Sequence, residues 1–267
     1  MSAEFALHPE PRRLLTGRRA LVTGATTGIG RGTAFELAAH GAAVAIDYLG
    51  NDDEAREMVE TIEGAGGRAA GVQMDVSAEE EVVRGFAQAR EALGGLDLLV
   101  NNAGIEAPFE LVDMPLAEWN RVIGVNLTGV FLASREAARI MLADGARGTI
   151  VMVSSVHEEI PWKQFSHYCA SKGGVKLFAQ SIARELAPHG IRVVSVAPGA
   201  IATPINRDVL NDPKAKREVQ DEIPLGRWGE VADVAQAIAW VASDQASYVT
   251  GTTLFVDGGM TLYPRFV

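Results

Sequence analysis

Seven short runs rich in Val, Ile, Leu and Ala recur along the chain, at 20–23, 42–48, 68–74, 96–100, 149–153, 191–196 and 252–256. They show little of the apolar–polar alternation of a strand with one wet face. A strand apolar on successive positions sends apolar side chains to both sides of its sheet, so both sides must be covered. Helical patterns at 31–40, 53–63, 78–93, a long region ending near 142, 168–186 and 231–242 supply that cover. Such alternation predicts an α/β fold built on a doubly wound parallel sheet of about seven strands. No linker, repeat or low-complexity tract divides the chain. We therefore expect a single domain over 17–267, preceded by a polar, Pro-containing and flexible extension at 1–16.

Charge narrows the partners. Acidic residues outnumber basic ones 34 to 24, for a net charge of −10. Phosphate-backbone binding relies on clustered Lys and Arg, so nucleic acid and anionic membrane are not expected partners. No apolar run is long enough to span a bilayer, and the first residues lack the apolar core of a signal peptide. Cys169 is the single cysteine, which rules out an intrachain disulfide and a cysteine-built metal site. The reading is a cytoplasmic protein with no metal.

The first strand runs into Thr23-Gly24-Ala25-Thr26-Thr27-Gly28-Ile29-Gly30, and a helical pattern follows. Glycines allow close approach of backbone to a diphosphate, and a helix N-terminus offers free N–H groups with partial positive charge. Gly24, Thr27, Gly28, Ile29 and Gly30 are thus dinucleotide candidates, although the same text also suits a plain tight turn. Asp75 and Val76 close the third strand and Asn102, Ala103 and Gly104 the fourth, at the sheet edge where open α/β proteins bind ligands. Asp75 suits an adenine amino group, and equally a cap for the next helix. The second strand ends Asp47-Tyr48-Leu49, where a ribose-reading acid belongs. Asp47 and Tyr48 point to opposite faces, so one of them faces the ribose. A 2′-phosphate would want Arg or Lys; Arg31 is the near base, among Asp52, Asp53 and Glu54. NAD is the expected cofactor, with NADP still open.

Tyr168-Cys169-Ala170-Ser171-Lys172 puts a phenol and an ammonium at i and i+4, neighbours on one helix face. Ser155 follows the fifth strand, and Asn126 sits in Val125-Asn126-Leu127-Thr128-Gly129. Each alone reads as packing, solvated charge or turn. Together and in order with the glycine loop, the Asn-Asn-Ala-Gly run and Pro198-Gly199, they resemble the short-chain dehydrogenase/reductase family over nearly 18–260. The resemblance implies a Rossmann-type fold and hydride exchange between a nicotinamide and an alcohol carbon. It implies Tyr168 as acid/base, Ser155 on the substrate oxygen, Lys172 on the nicotinamide ribose and Asn126 ordering a relay water. Pro198, Gly199, Ile201 and Thr203 resemble the segment that meets the carboxamide. A free phenol has a pKa of about 10, too high for a base at neutral pH. A neighbouring ammonium and the cationic nicotinamide are expected to lower it.

Within that family, Ser154–Trp162, His167-Tyr168, Gly199–Asn206 and the Asp257–Pro264 tail resemble the bacterial glucose 1-dehydrogenases. That resemblance implies oxidation of β-D-glucose at C1 to gluconolactone, in a homotetramer. Sugar hydroxyls need polar readers; Glu106, His157 and Asn206 are the candidates, with Trp162 as an apolar wall and Ser155 and Tyr168 at the reacting oxygen. The charged segment 206–224 reads as a mobile lid. A broad carbonyl or 3-ketoacyl reductase and a catalytically silent dinucleotide-binding protein are the alternatives.

Overall fold

The structure is a computed structural model that describes residues 13–262. Strands β1 (Arg19–Val22), β2 (Ala43–Tyr48), β3 (Arg68–Gln73), β4 (Leu98–Asn101), β5 (Thr149–Val153), β6 (Arg192–Pro198) and β7 (Thr253–Val256) form one sheet. Its order is β3-β2-β1-β4-β5-β6-β7, and every pairing is parallel. The order in which the chain adds strands reverses between β1 and β4, which opens a crevice at their C-terminal ends. The doubly wound sheet expected from the sequence is the one observed.

Successive strand residues fall into two cores, as their lack of alternation requires. Val22, Ile46, Val100, Val151 and Val194 point to one face, where α1 (Gly28–Ala39), α2 (Asp52–Gly64) and α9 (Val231–Ala242) cover them. Leu21, Ala45, Leu99, Ile150 and Val193 point to the other, under α3 (Glu79–Leu93), α5 (Val130–Ala143) and α6 (Ser166–Leu186). Gly32 lets α1 close on α9, since a Cβ there would meet Val231 at 2.1 Å.

Three expectations need correction. The long helical region before residue 142 is α4 (Leu116–Ile123), a π-helical turn (Gly124–Gly129) and α5; a local change from 3.6 residues per turn is invisible to a periodicity read over many turns. The charged segment 206–224, read as a mobile lid with no helix assigned to it, folds in part into α7 (Arg207–Asn211) and α8 (Pro213–Asp221). Asp212 accepts from the N–H groups of Lys214 and Ala215, and Pro213 sits at the first helical position, a start signal set among charges. The third concerns residues 1–16, of which 1–12 lie outside the described residues. Leu15 is fully buried in the first core, and its N–H donates to His40 O, so the core begins inside that segment.

Leu15→Ala is therefore expected to lower unfolding stability by about 2–4 kcal/mol, read by urea denaturation. A change under about 0.5 kcal/mol, the usual range for surface positions, would place Leu15 outside the core.

Candidate active site

A cleft of about 740 Å³ crosses the C-terminal edge of the sheet. It brings together the residues singled out from sequence, with two exceptions: Gly30 and Asn126 lie beneath it rather than along its wall.

At one end lies the glycine loop. Gly24 and Gly28 have φ of +58° and +52°, a backbone region that favours glycine. A Cβ on Gly30 would lie 2.4 Å from both Asn102 Nδ2 and Gly24 O, so this glycine is needed for packing beneath the loop. Asn102 Nδ2 donates to the carbonyls of Thr23 and Gly24, and Asn101 Nδ2 donates to Ser134 Oγ. Both asparagines thus tie the frame together. Thr27, the residue before α1, makes no side-chain cap. The first N–H donors of α1 therefore stay free for an anion, so the loop fits the diphosphate of a dinucleotide.

The ribose-reading expectation for Asp47 is not met. Its side chain is only 2% exposed and turns under the loop, where Oδ2 accepts from Gly24 N–H at 2.9 Å. Tyr48, on the opposite face of β2, is partly exposed and lines the cleft. Asp75 divides its loyalty: Oδ1 accepts from the N–H and hydroxyl of Ser77, the local role left open by sequence, while the residue also lines the cleft. Val76 packs against the π-helical turn at Gly129. Thr203 lies next to Gly28, where an added Cβ would meet the threonine Cβ at 3.5 Å, and Gly199 lies so close to Asp257 that a Cβ would meet its Cα at 2.8 Å. Lys172 is the one cation on the cleft wall among the described residues; Arg31 pairs with Glu57 and lies over the Phe35 ring.

At the other end α6 carries Tyr168 and Lys172. Lys172 Nζ donates to Val153 O at 2.9 Å and lies 5.6 Å from the Tyr168 ring centre. Ser155 Oγ accepts from His157 N–H and faces the phenol. Asn126 is fully buried, with its amide spent on protein: Oδ1 accepts from Ile105 N–H, and Nδ2 donates to Ile105 O and Ser171 Oγ. Ser171 Oγ donates in turn to Tyr168 O at 2.7 Å. The Asn126 side chain therefore pins the Gly104–Glu106 stretch to α6, with both of its amide N–H groups committed to protein acceptors.

Burial inverts the expected electrostatics. The hydroxyl end of Tyr168 lies deep, and desolvation pushes the phenol well above its usual range; the charge of Glu106 adds to this and Ser155 opposes it. Desolvation pulls the Lys172 ammonium down to about 8, against the opposing pull of Glu106 and Glu158. In the protein without ligand the lysine thus loses its proton before the phenol does. From sequence, the ammonium and the nicotinamide charge are expected to lower the phenol's pKa together; in the ligand-free protein burial penalises both side-chain charges, and the ammonium does not by itself hold the phenol ionised. Burial also raises the Glu106 carboxyl, partly offset by Lys172.

Beyond the reacting end stands an aromatic wall. His157 stacks on Trp162 at 4.5 Å between ring centres, Trp162 stacks on Phe165, and both His157 and Trp162 meet Tyr168 edge-on. His157 Nδ1 lies 3.1 Å from Ile160 O, and burial lowers its pKa, which keeps the ring neutral. Asn206 Nδ2 donates to Ile201 O. Sequence reasoning missed Ile160, Ile205, Val209, Val219, Trp228 and Met260, which complete the cleft. The helical spacing of Ile205 and Val209 was the available signal, masked by the charges around them.

Comparison with known proteins agrees with this geometry. The family model described as enoyl-(acyl carrier protein) reductase matches residues 24–261. The 3beta-hydroxysteroid dehydrogenase 1 of Eggerthella lenta is 50% identical over 94% of this chain and 97% of its own. The glucose 1-dehydrogenase of Gluconobacter oxydans is 43% identical over 94% of each chain. Among solved structures, a gluconate 5-dehydrogenase from Burkholderia cenocepacia in complex with NADP and tartrate superposes with a TM-score of 0.90 at 34% identity, covering 95% of this chain and 98% of that one. The cleft, the fold and these likenesses converge: the chain belongs to the short-chain dehydrogenase/reductase family of oxidoreductases, which work with NAD(P).

Proposed function

We propose that the protein oxidises the C1 hydroxyl of an aldopyranose, β-D-glucose foremost, with NAD as hydride acceptor. Glu106 carries the sugar reading. Its carboxyl stands on the cleft wall within electrostatic reach of Tyr168 and Lys172, and no protein group among the described residues hydrogen-bonds it. A free carboxylate beside the reacting centre binds neighbouring hydroxyls and is wasted on hydrocarbon. The Gluconobacter relative's activity supports the same reading. NAD rather than NADP is supported by the cleft wall, where Lys172 is the one cation among the described residues and stands at the far end from Tyr48.

In this reading the bound nicotinamide supplies the hydride-accepting carbon. Tyr168 removes the hydroxyl proton, and Ser155 donates to the same oxygen as charge shifts across it. Lys172 holds the nicotinamide ribose, and Asn126 keeps the Gly104–Glu106 wall in place.

One observation favours a second substrate class. His157 and Asn206 spend hydrogen bonds on their own loops, while Ile160, Trp162, Ile205, Val209 and Met260 face the cleft. That wall suits a fused alicyclic alcohol of the kind named for the Eggerthella relative.

Initial rates of NADH formation with D-glucose, D-xylose and a 3β-hydroxysteroid separate the two. We expect D-glucose to lead and NADP to be the poorer acceptor; steroid turnover without glucose turnover would overturn the sugar reading. Tyr168→Phe is expected to lower kcat by about 10²–10⁴-fold with NAD affinity kept, measured by steady-state kinetics and fluorescence titration. Unchanged turnover would remove Tyr168 from the mechanism. Because the Glu106 charge raises the phenol's pKa, Glu106→Gln is expected to move the rising limb of the oxidation pH profile to lower pH while raising the KM for glucose. An unmoved limb would place Glu106 too far from Tyr168 to act on it.

A further inference from the structure

Asp47 has no role left in the reading above, yet it is a nearly buried acid beneath an anion site. Its Oδ2 accepts from Gly24 N–H, and its backbone carbonyl accepts from Ala25 N–H at 2.8 Å. Its Oδ1 is buried without a hydrogen-bond partner. The carboxyl is thus built into the underside of the glycine loop and is held there only in part.

We propose that Asp47 is a positioning residue that clamps Gly24, and that its protonation state sets how tightly the loop receives an anionic dinucleotide. The proposal rests on the reading that the cleft binds a dinucleotide. Desolvation pushes the Asp47 carboxyl up to about 7; the charge of Asp75 adds to the rise, and the Gly24, Tyr48 and Met74 N–H groups oppose it. Asp75, at the end of β3, is the charged group facing it from the neighbouring strand. The loop 23–28 and the end of β4 bring only hydroxyls, amides and backbone.

The sign follows from linkage. A diphosphate seated on the loop adds negative charge near the carboxyl and favours its neutral form, raising its pKa further. A ligand that raises a pKa binds the protonated protein more tightly. Affinity is then greatest below about pH 7 and falls as the pH rises through the carboxyl's titration. Asparagine keeps an acceptor for Gly24 N–H and removes the titration; alanine removes both.

The test is the dissociation constant of NAD between pH 6 and 8.5, by fluorescence titration, for wild type, Asp47→Asn and Asp47→Ala. A further rise of half to one pKa unit corresponds to a weakening of about three- to tenfold over that range in wild type. We expect that loss to shrink to within about twofold of flat in Asp47→Asn, and Asp47→Ala to bind more weakly throughout. Lys172 titrates nearby in pH, so the difference between wild type and Asp47→Asn is the informative quantity. Parallel profiles in the two proteins would overturn the proposal, as would a wild-type profile that is flat, which needs no variant. Absence of NAD binding at every pH would overturn the dinucleotide reading itself, and this proposal with it.

Discussion

Tyr168 and Lys172 sit one helical turn apart with their charged ends out of water, and most of the site exists to manage that fact. Two ionisable groups in a dry place resist ionising, the phenol by holding its proton and the amine by losing it. The sheet forces the situation. Its C-terminal edge is covered by helices on both faces, so a group placed at that edge on α6 is desolvated unless the cleft itself admits water or ligand. Chemistry then waits on whatever shifts the balance, and the nearby charges are few: Glu106 on the wall and Glu158 behind it.

The polar residues under the cleft hold this arrangement still. Asn126 and Ser171 lash the Gly104–Glu106 stretch to α6, while Asn102 and the bare Cα of Gly30 let the glycine loop settle on β4. Glu158 Oε1 accepts from Thr253 Oγ1, which links the turn after Ser155 to β7. Each of these bonds is buried or partly so, where a lost partner leaves a group unsatisfied rather than returned to water. The reacting and the dinucleotide ends thus share one frame.

Much of this was legible in the residues. The strands declared themselves because parallel, doubly covered strands leave no polar face, and the order of Gly24, Asn126, Ser155, Tyr168 and Lys172 carried the family. What stayed hidden was direction and environment. That Asp47 turns inward under Gly24 depends on which face of β2 meets the loop, and alternation gives two faces without saying which is which. The π-helical turn around Asn126 changes a pitch over six residues, too few for a periodicity to register. Leu15 looked like part of a polar tail because its partners, His40 and the first core, lie far along the chain or in no local pattern. The inverted electrostatics of Tyr168 and Lys172 could not be read either, since i and i+4 spacing gives proximity and says nothing of water.

The direct test is a pH titration of tyrosinate absorbance in the ligand-free protein, with Tyr168→Phe as the blank. Burial of the phenol predicts that the difference stays silent up to at least about pH 10, the range of a free phenol. A difference signal rising near neutral pH would show Tyr168 already ionised in the free protein and would contradict the account.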